Sequence, residues 1–286
     1  MSVQHHAFFH EATSTITYLV WDEQTKDAAV IDPVLDYEPK SATVSTVSAN
    51  AVMTYAAERG LKLRYVLETH AHADHLSAAD HIRKTTGAKV VIGDHIGQVQ
   101  AHFAPIFDAD DVTPDGSVFD RLVADGDELQ LGESTIGVMH TPGHTAACVT
   151  YLIDGSAFVG DTLFMPDYGT ARTDFPGGDA TTLYRSIQRI LSLPPQTKIF
   201  VGHDYLPEGR KSFAWETTVA DERARNVHVH EGVSEAEFVQ RRQARDATLA
   251  PPVLILPSLQ VNIRAGALPP PAADGKVFLR LPVKVV

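Results

Sequence analysis

The chain has a single cysteine, Cys148, among its 286 residues, so no disulfide can form within it. A thiol-only chain fits a reducing compartment such as the cytoplasm. Cationic charge is also scarce: 24 Lys and Arg stand against 36 Asp and Glu, a formal net charge of −12. Such a surface repels phosphate backbones, so neither nucleic acid nor an anionic membrane is expected as a partner. No apolar run approaches the roughly 18 residues that cross a bilayer. The N-terminal stretch Met1-Ser2-Val3-Gln4-His5-His6 has neither a basic segment nor an apolar core, so secretion is not signalled and a cytoplasmic location is expected.

Cys148 could in principle be a nucleophile. It lies in Ala146-Ala147-Cys148-Val149-Thr150-Tyr151-Leu152, which reads as a buried strand. Apolar burial disfavours the reactive thiolate, so inert packing is the expectation.

Present in quantity are strand-like and helix-like segments in alternation. Thr15 to Trp21 and Ala28 to Ile31 read as paired strands closed by Asp32-Pro33, and Leu63 to Leu67 as a short apolar strand. Helices are predicted from Ser48, as N-cap, to Arg59 with Gly60 as stop, and from Leu76 to Thr86 with Gly87 as stop. A second series follows: strands at 121–124, 128–131, 135–139, 148–153 and 157–159, a helix over 179–193, and a strand over 198–201. Two β-rich halves with helices between them predict two packed sheets covered by helices. Ser234-Glu235-Ala236-Glu237 opens a polar helix running to about Asp246, after which Pro251-Pro252 and Pro269-Pro270-Pro271 break the chain. Residues 1–286 are read as one domain, with 230–286 as a C-terminal extension wrapping the core.

Fourteen histidines are present, and their clustering carries the chemistry. His70-x-His72-x-Asp74-His75 places four candidate ligands in six residues, directly after the strand ending at Leu67. His144, Asp161 and His203 each follow another predicted strand, the kind of junction where open α/β folds converge their functional side chains. Imidazole and carboxylate together suit zinc, iron or manganese. One such residue would be an ordinary loop group; seven in the same kind of location predict a metal site. His5, His6, His10, His81, His95, His102, His228 and His230 lack that context and are expected at the surface or as satisfied polar groups.

These motifs resemble the metallo-β-lactamase superfamily. The resemblance implies an α/β fold, a four-layer αβ/βα sandwich of two central mixed sheets flanked by helices, with metal at one edge. In dinuclear members the matching positions would divide into His70, His72 and His144 on one metal and Asp74, His75 and His203 on the other, with Asp161 bridging. Gly169-Thr170-Ala171-Arg172-Thr173-Asp174-Phe175, Thr182-Leu183-Tyr184 and His203-Asp204-Tyr205 resemble the ETHE1-type persulfide dioxygenases, and Asp161 to Tyr168 and Leu259-Gln260-Val261-Asn262 a bacterial branch of them.

That likeness implies one Fe(II) per chain on His70, His144 and Asp161, with His72, Asp74, His75 and His203 in catalytic support. Its substrates would be glutathione persulfide and O₂, its products sulfite and glutathione, and a homodimer is compatible with it. The alternative is a glyoxalase II-like zinc thioester hydrolase with a dinuclear site. Arg172 is the candidate for a glutathione carboxylate, although it could instead bridge to Asp174 or Asp167. Arg210 and Lys211, in an insertion-like stretch after Tyr205, are weaker candidates, and Tyr168 and Tyr205 offer apolar faces and hydroxyls to a peptide-like ligand. Asp204 is expected to anchor the loop carrying His203.

Overall fold

Strand β2 (Thr15–Asp22) is buried along its whole length. Ile16, Tyr18 and Val20 enter one apolar cluster, whereas Leu19 and Trp21 enter another. Alternate side chains of a strand face opposite ways, so β2 has covering layers on both sides. The computed structural model, which describes residues 3–283 and 285, shows what those layers are.

One six-stranded sheet runs in the order β1 (Val3–His10), β2, β3 (Asp27–Ile31), β6 (Lys62–Leu67), β8 (Lys89–Gly93), β9 (Arg121–Val123). The second runs β10 (Glu128–Leu131), β11 (Ser134–His140), β12 (Val149–Ile153), β13 (Ser156–Phe158), β14 (Lys198–Phe200), β15 (Glu216–Thr218). Both are mixed: β3, β6, β8 and β9 are parallel neighbours, as are β13 and β14, while β1 with β2 and β10 through β12 pair antiparallel. The facing sides share a core containing Tyr18, Leu67, Tyr151, Phe158 and Phe200. The outer face of the first sheet packs against α1 (Val47–Glu58), α2 (Ala79–Thr86) and α3 (Ile96–Ile106). The outer face of the second packs against α4 (Ala180–Leu191), whose Leu183, Ile187 and Ile190 are fully buried. α5 (Val219–Arg225) and α6 (Glu235–Asp246) complete that layer through Val219 and Phe238. This is the four-layer αβ/βα sandwich.

A small third sheet joins β4 (Val34–Glu38) to β5 (Thr43–Ser45) and β7 (Leu76–Ser77). Pairing of Leu76 and Ser77 with Leu35 and Val34 delays the predicted helix 76–86, which begins only at Ala79. Thr46, not Ser48, occupies the α1 N-cap, because the Ser48 hydroxyl donates instead to Asp36 Oδ1 at 2.6 Å. α6 is capped as predicted, Ser234 accepting from the Glu237 amide, and α4 is capped by Asp179, which accepts from the Thr182 amide.

β1, β4, β5, β8, α3, β15 and α5 are additions to the predicted elements. So is α7 (Ile255–Asn262), in the segment expected to be broken by prolines. Its Leu259 and Val261 lie in the core beneath the first sheet. Among the described residues no helix is long and apolar enough to cross a membrane.

Candidate metal centre

Four loops carry the site, and each leaves the C-terminal end of a strand. Glu68 to His75 follows β6, Thr141 to His144 follows β11, Gly160-Asp161 follows β13, and Gly202-His203 follows β14. Backbone bonds lace the loops together. The Gly202 amide donates to Gly160 O at 3.0 Å, the Ile16 amide to Gly202 O at 2.8 Å, and the Asp204 amide to Ser14 O at 3.0 Å. Gly160 is required where it stands: its φ is +51°, and a Cβ there would fall 2.4 Å from Thr69 Oγ1. That close approach brings Asp161 beside His70.

The seven ligand-type residues fall into two groups whose candidate atoms lie within 4.8 Å of one another, His70 with His144 and Asp161, and His72 with Asp74, His75 and His203. Asp161 faces both. Its Oδ2 lies 3.9 Å from His70 Nε2 and 3.8 Å from His144 Nε2, while its Oδ1 lies 3.3 Å from His203 Nε2. His203 Nε2 is also 3.3 Å from Asp74 Oδ2. Two ligands on one ion, each about 2.1 Å from it, stand at most about 4.2 Å apart, so these spacings fit a bound metal. The nitrogens and oxygens have the burial of ligands as well. His70 Nε2, His75 Nε2, His203 Nε2, Asp74 Oδ2 and Asp161 Oδ1 are all buried and accept or donate no hydrogen bond within the protein. Buried polar atoms without partners are costly, and a cation among them removes that cost.

The other ring nitrogens are held. His70 Nδ1 is 3.0 Å from Thr69 Oγ1, His144 Nδ1 is 2.9 Å from the Arg172 carbonyl, and His75 Nδ1 is 3.2 Å from the Leu76 carbonyl. Such outer contacts fix ring orientation and tautomer. His72 is turned the other way: its Nε2 lies 3.0 Å from Asp32 Oδ1 and 3.3 Å from Glu68 Oε2, which leaves Nδ1 for the second group.

Burial first, then His72 and His144, holds His70 well below the usual histidine range, neutral and able to coordinate. Burial and His72 lower His75 to about 3. Burial also opposes a charge on His203, but Asp161 and Asp74 outweigh it and raise that imidazole. The carboxylates thus call for positive charge at this point.

Asp32 and Glu68 were not singled out by the sequence pattern. Asp32, at φ +49°, accepts from the Thr69 amide at 2.7 Å and the Thr69 hydroxyl at 2.8 Å as well as facing His72. Its one legible signal was the Asp-Pro turn closing a strand. Asn262 was quoted only as part of a tail motif, yet its side-chain amide donates to the carbonyls of His72 at 2.7 Å and His75 at 2.8 Å and accepts from the Ser77 amide at 2.8 Å.

Beside the metal ligands opens a cavity of about 590 Å³, walled by Phe164, Tyr168 and Tyr205 on one side and by Leu249, Pro252 and Leu254 of the C-terminal segment on another. Tyr168 and Tyr205 pack with ring centres 5.0 Å apart, and Tyr205 stacks on His203 at 5.6 Å. Both tyrosines line the cavity.

The three cationic candidates are placed differently. Arg172 borders the cavity, but its fork is closed on Asp174, with Nε and one Nη each 2.6 Å from a carboxylate oxygen, and its other Nη donates to Ala250 O at 2.7 Å. The structural bridge to Asp174 thus takes the fork that the carboxylate role required. Arg210 is a clamp and not a solvated cation: it holds the buried Asp204 with both Nη groups and Asp167 with Nε at 3.0 Å. Asp204 also accepts from the Ala214 amide at 2.7 Å, so the stretch after Tyr205 folds back to fasten the His203 loop. Lys211 is exposed and, like Arg210, lies outside the cavity wall. Cys148 is buried, and burial pushes its thiol up to about 12, in keeping with inert packing.

Residues 12–203 match the model of the Metallo-beta-lactamase superfamily. A probable metallo-hydrolase of Burkholderia pseudomallei (strain 1710b) is 52% identical over 98% of this chain and 98% of its own length. Glyoxylase B2 of Dictyostelium discoideum is 44% identical, over 95% and 94% respectively. The mitochondrial persulfide dioxygenase ETHE1 of Homo sapiens is 30% identical, over 92% and 89%. The crystal structure of ETHE1 from Myxococcus xanthus superposes with a TM-score of 0.74 at 32% identity, covering 92% of this chain and 100% of that one.

Proposed function

Because the chain belongs to the metallo-β-lactamase superfamily, whose members share a metal site but not a reaction, we propose that it is a persulfide dioxygenase with one ferrous iron on His70, His144 and Asp161. The observation that carries this reading is the convergence of His70, His144 and Asp161 as one set of two imidazoles and a carboxylate. His72 is not part of that set, its Nε2 being turned to Asp32 and Glu68. Two imidazoles and a carboxylate are the ligand set of non-haem iron oxygenases, and the likeness to persulfide dioxygenases supports the same assignment.

When bound, Fe(II) in such a set supplies redox chemistry with O₂ and leaves coordination positions open for a substrate sulfur. The reaction takes glutathione persulfide, O₂ and water to glutathione, sulfite and two protons. The outer sulfur is oxidised, O₂ is reduced, and the S–S bond breaks with glutathione as the leaving thiol. The apolar faces of Tyr168, Tyr205 and Phe164 exclude water from one side of the reacting sulfur. His203 Nε2, between Asp74 and Asp161, is placed to hold a proton beside it. His72 and His75 orient the second group, their backbones fixed by Asn262.

A zinc thioester hydrolase is the second reading, favoured by the four-residue group, which has the chemistry to hold another metal, and by the likeness to glyoxylase B2. The two separate experimentally. Protein loaded anaerobically with iron is given glutathione persulfide and, separately, S-lactoylglutathione. Oxygen uptake with the first supports the dioxygenase; hydrolysis of the second without oxygen uptake overturns it.

A further inference from the structure

Three guanidinium groups border the metal cavity, from Arg172, Arg242 and Arg245. Two are committed to the protein. Arg172 is closed on Asp174 and Ala250 O. Arg242 is buried, holding Asp246 through Nε at 2.9 Å and the Thr170 carbonyl through Nη1 at 3.1 Å. Arg245 is exposed, and its side chain meets no carboxylate or carbonyl among the described residues. It lies one turn beyond Arg242 on α6, so the buried Arg242–Asp246 pair sets the helix face that presents Arg245 to the cavity.

The rest of the wall gives that cation its significance. Asp74, Asp161 and Glu38 also border the cavity, and the whole chain is strongly acidic. An acid entering this space meets repulsion from the wall except where a cation is free to receive it. Beside Arg245 the chain from Leu249 to Leu254 turns apolar groups to the same mouth, and Val253 is 90% exposed. A free guanidinium beside an apolar rim suits a ligand with a terminal carboxylate on an aliphatic stem.

We infer that Arg245 is the residue that selects the substrate by binding a carboxylate of its carrier thiol, the role that Arg172 cannot fill while its fork is closed on Asp174. This rests on the proposal above that the cavity receives a glutathione-based substrate. Arg245 does not touch the reacting sulfur; it positions the carrier.

The test uses the full iron-loaded chain as wild type, Arg245→Ala and Arg245→Lys, with Arg241→Ala as a control that leaves the cavity wall intact. Calorimetry gives Kd for reduced glutathione and for its diethyl ester, in which both carboxylates are masked, and oxygen uptake gives KM and kcat. Arg245→Ala is expected to weaken glutathione about tenfold, to leave the already weaker ester within about twofold, and to raise KM more than it lowers kcat, with Arg245→Lys intermediate. Unchanged glutathione affinity in Arg245→Ala overturns the inference, as does an equal loss for acid and ester, or a wild type that binds no glutathione. A wild type that binds glutathione through Arg245 yet takes up no oxygen defeats the dioxygenase reading and leaves this inference standing.

Discussion

Asp161 is the residue on which the two ligand groups meet, one oxygen toward His70 and His144 and the other toward His203. Asp161→Ala is expected to lower iron affinity at least about 100-fold and to abolish turnover, measured by metal analysis after dialysis. Asp32→Asn keeps the shape but halves the acceptor capacity that holds Thr69 and faces His72. A loss of about 10–100-fold in metal affinity with the fold intact is the expected result.

Away from the site, Glu222 is fully buried with Oε1 unpartnered, and burial raises its carboxyl to about 8. In the folded chain it keeps its proton at pH values where the unfolded chain has lost it. Stability is therefore full below the ordinary carboxylate range and falls as pH rises toward 8. Between pH 6 and 8 the wild type should lose of the order of 2 kcal/mol relative to Glu222→Gln, whose amide carries no proton to release, as read by urea unfolding.

At the scale of elements, legibility followed local signals. α6 was readable because Ser234 is an N-cap with the expected partner Glu237, whereas the Asp179 cap of α4 is added by the structure. The strands before the ligands were readable because each is an apolar run broken by a Gly, Asp or His. β7 was not, since Leu76 and Ser77 look helical until β4 pairs with them. Nor was α7, whose flanking prolines suggested a broken tail and whose ordering comes from tertiary contacts: Gln260 and Asn262 have their side chains bonded to distant backbone. Asn262 is the sharpest case, because nothing local marks it as the staple of the metal loop. Asn262→Ala leaves three buried backbone groups without that partner and is expected to cost about 3 kcal/mol of stability, with weaker iron binding. Thermal melts of the metal-free and iron-loaded protein separate the two effects.

For the molecule as a whole, ligands come from loops of both sheets. The metal therefore ties together two halves that otherwise meet through apolar packing. Ion binding to the folded state alone adds about 2.7 kcal/mol when the free metal stands at 100 times its Kd. Chelation should accordingly lower Tm by roughly 5–10 °C, and restored iron should return it.

Two packed sheets covered by helices were legible from the alternation of strand-like and helix-like segments, and a metal site from strand-end ligands spread over residues 70–203. The four-layer sandwich with metal at one edge followed only from the likeness to the superfamily. The cavity beside the ligands was not legible, because its wall draws on Tyr168, Tyr205 and the segment from Arg242 to Leu254, which are brought together only by the fold. Arg172 shows the same limit from the other side. Its position beside the cavity followed from the motif, but its commitment to Asp174 depends on where both side chains point.

On the reading proposed above, this site oxidises a persulfide with O₂. Stopped-time measurement of oxygen consumed, sulfite formed and glutathione released by the iron-loaded protein tests it directly. One O₂ consumed per sulfite and per glutathione, lost together in Asp161→Ala, is the predicted result. Cleavage of a glutathione thioester with no oxygen consumed from persulfide would contradict it.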